Sequence, residues 1–145
     1  MGDTNIFFHQ EDVQLELTSV DQWVNWILDC IHSEGKTLTN LNYIFCSDEY
    51  LYQINLQYLK HDYYTDVITF PYEGEGIEGD IFISLDRVND NARRLKIDPP
   101  VELRRVIIHG VLHLIGFRDK TDQEAKQMRA KEDEYLNRYL LRKPK

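Results

Sequence analysis

Apolar positions along this 145-residue chain change their period several times, and each change marks an element. Asn5–Phe8 and Val13–Leu17 read as short strands around the polar His9-Gln10-Glu11-Asp12. In the second of these, Val13, Leu15 and Leu17 alternate with Gln14 and Glu16, the period of a half-buried strand. The period then becomes three and four at Val20, Trp23, Val24, Ile27, Leu28 and Ile31. That predicts a helix capped by Thr18 or Ser19 and stopped at Gly35. Leu38–Cys46 returns to alternation, with Leu41, Tyr43 and Phe45 on one side and Asn40, Asn42 and Ile44 on the other. Ser47 caps a second helix carrying Asp48 and Glu49 in its positive first turn, with Leu51, Ile54, Tyr58 and Leu59 as its buried stripe.

Val67–Tyr72 and Gly79–Leu85 are β-branched, apolar strands joined by a flexible acidic loop, Glu73–Glu78. Asp86–Leu95 reads as an arginine-rich helix. Pro99-Pro100 opens the next helix, from about Val101 to Ile115, which is nearly all apolar after Arg105 and so predicts the buried central helix. Thr121-Asp122-Gln123-Glu124 is a capping box for a last amphipathic helix reaching Leu141. The expected architecture is a single α+β (α/β-type) domain over residues 1–145, with a mixed sheet of about four strands and four or five helices.

Composition narrows the function classes. At 42% hydrophobic and 12% aromatic residues the chain is built to bury a core and is not disordered. Cys30 and Cys46 allow one bridge at most and read as reduced thiols of a cytoplasmic protein. Met1-Gly2-Asp3-Thr4 carries no basic or apolar leader pattern. The longest stretch without a formal charge, Val106 to Phe117, is too short to span a bilayer. The net charge of −8 is uneven: 15 acidic residues face two basic ones up to Leu85, and 10 face 15 from Asp86 onward. The acidic whole argues against a nucleic-acid binder and the basic C-terminal part for one; a solvated helix surface explains the same lysines and arginines.

The chemistry lies in His109-Gly110-Val111-Leu112-His113-Leu114-Ile115-Gly116-Phe117-Arg118-Asp119. Residues four apart share a helix face, so His109 and His113 can present two imidazole nitrogens to one point. Gly116 can take positive φ and turn the chain back, and Asp119 then returns a carboxylate to the same place. Two imidazoles, one carboxylate and a fourth position left for water make a catalytic zinc layout. A metallopeptidase of the HExxH kind needs its general base directly after the first histidine; Gly110 stands there, which disfavours that reading. Glu102 and Arg105 fall on the histidine stripe, Glu102 to orient a ligand from behind and Arg105 either to meet an anionic substrate or to form a surface ion pair. His9, His32 and His61 have no ligand spacing and read as solvated.

The His-Gly-x-x-His-Leu-x-Gly motif resembles the hallmark of the YbeY family of bacterial endoribonucleases and rRNA maturation factors. Ile54–Tyr58, Asp62, Thr65–Pro71 and Gly79–Ser84 are similar to further family segments, in the right order, so the resemblance covers roughly residues 40 to 120. It implies a small mixed sheet packed with helices, one bound Zn²⁺ per chain, and cleavage of single-stranded RNA. The implied role is maturation of the 16S rRNA 3′ end and ribosome quality control, with rRNA, the small ribosomal subunit and ribosome-assembly proteins as partners and no membrane. Two departures stand out. Asp119 occupies the place of the usual third histidine, which adds a negative charge and makes a bound water less acidic. Leu59 replaces the family's arginine, leaving Lys60 as a point charge without the bidentate fork.

The reading expects His109, His113 and Asp119 to hold the metal, which polarises a phosphate oxygen or activates water, with an RNA 2′-hydroxyl as the other possible nucleophile. Arg105, Lys60 and Arg118 are candidates for the RNA backbone, and Asp66 and Asp80 for the general base. A non-catalytic ribosome-assembly factor with a structural zinc is the competing reading.

Overall fold

A computed structural model describes residues 5–18 and 20–141. The alternative cap Ser19 and the segment Met1-Gly2-Asp3-Thr4 lie outside the described residues. The element order is β1 (Ile6–Gln10), α1 (Val20–Ser33), β2 (Leu38–Cys46), α2 (Asp48–Leu59), β3 (Val67–Pro71), β4 (Ile77–Ser84), α3 (Leu85–Leu95), α4 (Pro99–Ile115) and α5 (Asp122–Leu141). Among the described residues this is the expected α+β mixture, with five helices on a four-stranded sheet of order β1-β2-β4-β3. β1, β2 and β4 run parallel and β3 closes one edge antiparallel to β4.

The alternation read in β2 sorts its side chains between two apolar layers. Leu41, Tyr43 and Phe45 join Ile77, Ile81 and Ile83 of β4 under α1, α4 and α5. Cys46 and Ile68 face the other way, against Leu51 of α2. The apolar run of α4 is buried as expected, at Leu103, Val106, Ile107, Ile108, Val111 and Leu112. Its approach to the sheet is close: a Cβ on Gly110 would come within 2.8 Å of Ile81 Cγ2. The buried Tyr43 hydroxyl donates to the Ile107 carbonyl at 2.8 Å, fixing α4 on β2. Trp26 Nε1 donates to the Tyr135 carbonyl and ties α5 to α1.

Three expectations are corrected. Val13–Leu17 is not a strand; Val13, Leu15 and Leu17 pack half-buried on the main core, so the period of two records burial without a backbone partner. The stripe of α2 ends early: Leu51 is buried, but Tyr58 and Leu59 are exposed, and the buried residue beyond Leu51 is Asn55. β4 begins at Ile77, because Ile77 and Glu78 already pair with Leu38 and Asn40, and it ends at Ser84, whose hydroxyl caps α3 by accepting from the Arg87 amide. No helix among the described residues is long and apolar enough to cross a membrane.

Candidate metal centre

α4 ends at Gly116, whose φ of 128° is closed to most side-chain-bearing residues. The Gly116 amide donates to the carbonyls of Leu112 and His113, and the Phe117 amide to that of Leu112. The turn has two consequences for the site. It brings the Phe117 carbonyl within 3.0 Å of His113 Nδ1, so that nitrogen donates and Nε2 is left bare. It also returns Asp119 to the helix face, with Oδ2 at 3.3 Å from His113 Nε2 and 3.5 Å from His109 Nε2.

The two Nε2 atoms are 3.0 Å apart, so three ligand atoms form a compact triangle. A tetrahedral zinc with bonds of about 2.0–2.1 Å needs donors separated by about 3.3 Å, and the triangle meets that requirement. Its chemistry agrees, since lone pairs of two imidazoles and a carboxylate repel one another unless a cation or proton lies between them. His109, His113 and Asp119 could therefore hold a divalent metal.

The tautomer of His109 is fixed from behind by Glu132 of α5, whose Oε2 accepts from Nδ1 at 2.6 Å. Burial works against the His109 imidazolium, but the hydrogen bond and charge of Glu132 outweigh it and hold the ring above its ordinary pKa. Burial would raise the Glu132 carboxyl; His109 and Arg105 bring it below the usual carboxylate range instead. Arg105 donates to Glu132 Oε1 at 3.0 Å and lies 3.4 Å from Glu102. It is enclosed with Glu102 behind the triad, so its guanidinium is engaged by carboxylates. Glu102 is 4% exposed and its carboxyl is pushed up by burial; the orienting contact expected of it is made by Glu132.

The triad opens on a cleft of about 520 Å³ bordered by Asn55, Leu59, His61, Tyr63, Thr65, Asp66 and Lys120. Of the two acids proposed as base, Asp66 is in this cleft, and burial raises its carboxyl against the partial opposition of His109. Asp80 is not in the cleft. It sits on the opposite face of the sheet, held by Asn42 and by the Tyr72 hydroxyl in a separate groove of about 700 Å³. Lys60, at the left-handed end of α2, and Arg118, on the far side of the Gly116 turn, are exposed and do not line the cleft.

Glu132 escaped sequence reading although its signal was present: Met128, Glu132, Tyr135 and Tyr139 recur at helical spacing, which puts a carboxylate on a core-facing stripe. His61 and Tyr63 escaped it because nothing local links them to a motif 46 residues further on; the fold alone joins them.

The family model described as endoribonuclease YbeY matches residues 5–140. The chain is 50% identical over 139 residues to the endoribonuclease YbeY of Cytophaga hutchinsonii, covering 94% of this chain and 97% of that one. It is 48% identical over 138 residues to its counterpart from Amoebophilus asiaticus, covering 94% of each. A Thermotoga maritima protein solved in solution superposes with a TM-score of 0.64 at 28% identity, over 92% of this chain and 88% of that one. The chain belongs to the YbeY endoribonuclease family.

Proposed function

We propose that this chain is a single-domain, zinc-dependent endoribonuclease of the bacterial cytoplasm that cuts single-stranded RNA in maturing the 3′ end of 16S rRNA on the small ribosomal subunit. The observation that carries it is the triangle of His109, His113 and Asp119, compact enough for one ion and open on a cleft. When bound, zinc supplies Lewis acidity toward a phosphate oxygen or an attacking hydroxyl. The chain's own residues do the rest. Glu132 and the Phe117 carbonyl hold the two imidazoles in the tautomer that leaves Nε2 free. Asp66 is the cleft carboxylate outside the triad, and the assignment gives it the proton of the attacking group. Lys120, at the rim, is placed to meet the RNA backbone, while Arg105 supports Glu132.

The peptidase reading is disfavoured at Gly110, where even a Cβ would meet Ile81 at 2.8 Å and the general base of the HExxH kind would have to stand. The test quantifies zinc and cleavage of a single-stranded rRNA 3′ fragment on the same preparations of wild type and His113→Ala. Zinc near one per chain, with cleavage lost alongside it in the variant, supports the assignment. Zinc without cleavage in either protein overturns it in favour of a structural site, whose removal should also unfold the chain.

A further inference from the structure

We propose that His61 and Tyr63 form a stacking platform for one unpaired base of the substrate, setting the register of the strand on the metal centre. The inference rests on the endoribonuclease reading and adds the group by which the substrate is gripped. The two rings lie parallel, with centroids 5.1 Å apart and planes 17° from one another. They share a hydrogen bond of 2.9 Å between the Tyr63 hydroxyl and His61 Nδ1. Tyr63 is 54% exposed, as free aromatic surface, and both rings border the cleft that holds His109, His113 and Asp119.

The platform is rigid because Asn55 builds it. That residue is 1% exposed, at the end of the buried face of α2. Its carbonyl accepts the amides of Lys60 and His61, and its side-chain Nδ2 donates to the Tyr63 carbonyl at 2.9 Å. One buried residue thus holds the segment that carries the rings at Lys60, His61 and Tyr63, so less ordering remains to be done on binding.

Charge makes stacking the available grip. Beside the metal position, whose dication would offset Asp119, the border of the cleft carries one lysine, Lys120, with the carboxylate of Asp66 and the apolar side chain of Leu59. With few phosphate contacts, backbone electrostatics supply little affinity. Every base has a π-face, so stacking on an aromatic pair grips a single strand whatever its sequence. A paired base cannot leave its own stack for this surface without cost, so the platform selects unpaired RNA.

The test uses zinc-loaded protein and a single-stranded RNA oligonucleotide whose one base is a 2-aminopurine, every other position being abasic, so that only this fluorophore can stack and be quenched. The oligonucleotide is also made abasic at the labelled position. Tyr63→Leu should weaken binding roughly 5- to 150-fold and abolish the quench, while Tyr63→Phe keeps both. Wild type should bind the abasic strand about as poorly as Tyr63→Leu binds the intact one. Zinc content is followed in every sample to show that the centre is intact. Wild-type affinity and quench in Tyr63→Leu, or equal affinity for intact and abasic strands, would overturn the platform. Cleavage measured on the same samples separates the two readings. Quenching by a wild type that cuts no RNA keeps the platform and removes the enzyme, whereas cutting with an unaffected Tyr63→Leu does the reverse.

Discussion

Glu132 accepts a 2.6 Å hydrogen bond from His109 Nδ1 while its other oxygen accepts one from Arg105. A carboxylate on α5 therefore sets the ring orientation of a candidate metal ligand on α4, at a contact it shares with Arg105. Partners of this kind typically contribute 10- to 100-fold to metal affinity. Glu132→Ala should weaken zinc binding by about that factor in competition with a chelator. It also removes one of three carboxylates around the 17% exposed Arg105, which keeps Glu102 at 3.4 Å and Asp133 at 3.7 Å, so unfolding in urea should show a loss of about 1.5–3 kcal/mol, the range for a hydrogen bond to a charged group. Undiminished zinc affinity would mean that His109 is oriented by its packing alone.

Gly116 carries the second orienting contact. No atom lies within 4 Å of where its Cβ would be, so the obstacle to a side chain is conformational. Gly116→Ala should cost about 1 kcal/mol of stability. If the turn relaxes, both the Phe117 carbonyl and Asp119 move, and zinc affinity should fall by more than the stability loss explains. Equal zinc affinity in the variant would show that the turn tolerates alanine without shifting the ligands.

Gly110 answers to a different constraint. Its Cβ would meet two Ile81 side-chain atoms at 2.8 and 3.1 Å, and Ile81 is fully buried on β4 beneath α4. Gly110→Ala should therefore destabilise the fold by about 1–3 kcal/mol, as overpacking does. Thermal unfolding checks it, and Gly110→Ala combined with Ile81→Val should recover part of the loss. No recovery in the double variant would place the strain elsewhere.

How much of this was legible in the sequence follows from how local each signal is. The i, i+4 histidines, the turn glycine and the returning aspartate are one contiguous segment, and periodicity placed them on a buried helix end. The sheet was legible too, because Leu41, Tyr43 and Phe45 alternate with Asn40, Asn42 and Ile44. Asp80 and Asp66 could not be told apart, since which face of a strand meets α4 depends on packing: Gly79 and Ile81 take that face, and Asp80 points away. Arg105 shares a stripe with His109, but its distance from solvent is set by Glu132, which arrives from α5. Val13–Leu17 shows the converse, a clean strand period on a segment that buries its apolar side without a neighbour to pair with.

Glu34 provides a pH signature distinct from the metal centre. Its side chain is 13% exposed and accepts from Lys131 Nζ at 2.8 Å and from the Tyr135 hydroxyl, joining the loop after α1 to α5. Burial alone would raise the carboxyl, but the hydrogen bonds and charge of Lys131, with the Tyr135 hydroxyl, outweigh it and hold the group below the ordinary glutamate range. A carboxyl whose folded pKa is depressed stabilises the fold fully above its unfolded value, and that contribution disappears as pH falls through the folded one. Glu34→Gln should thus be less stable than wild type at pH 7 by about 1.5–3 kcal/mol, the range for hydrogen bonds to a charged group. The difference should shrink as pH falls below about 4.5. Urea unfolding of both proteins between pH 7 and pH 3 measures it. A gap that stays constant across that range would mean that Glu34 acts through shape rather than charge.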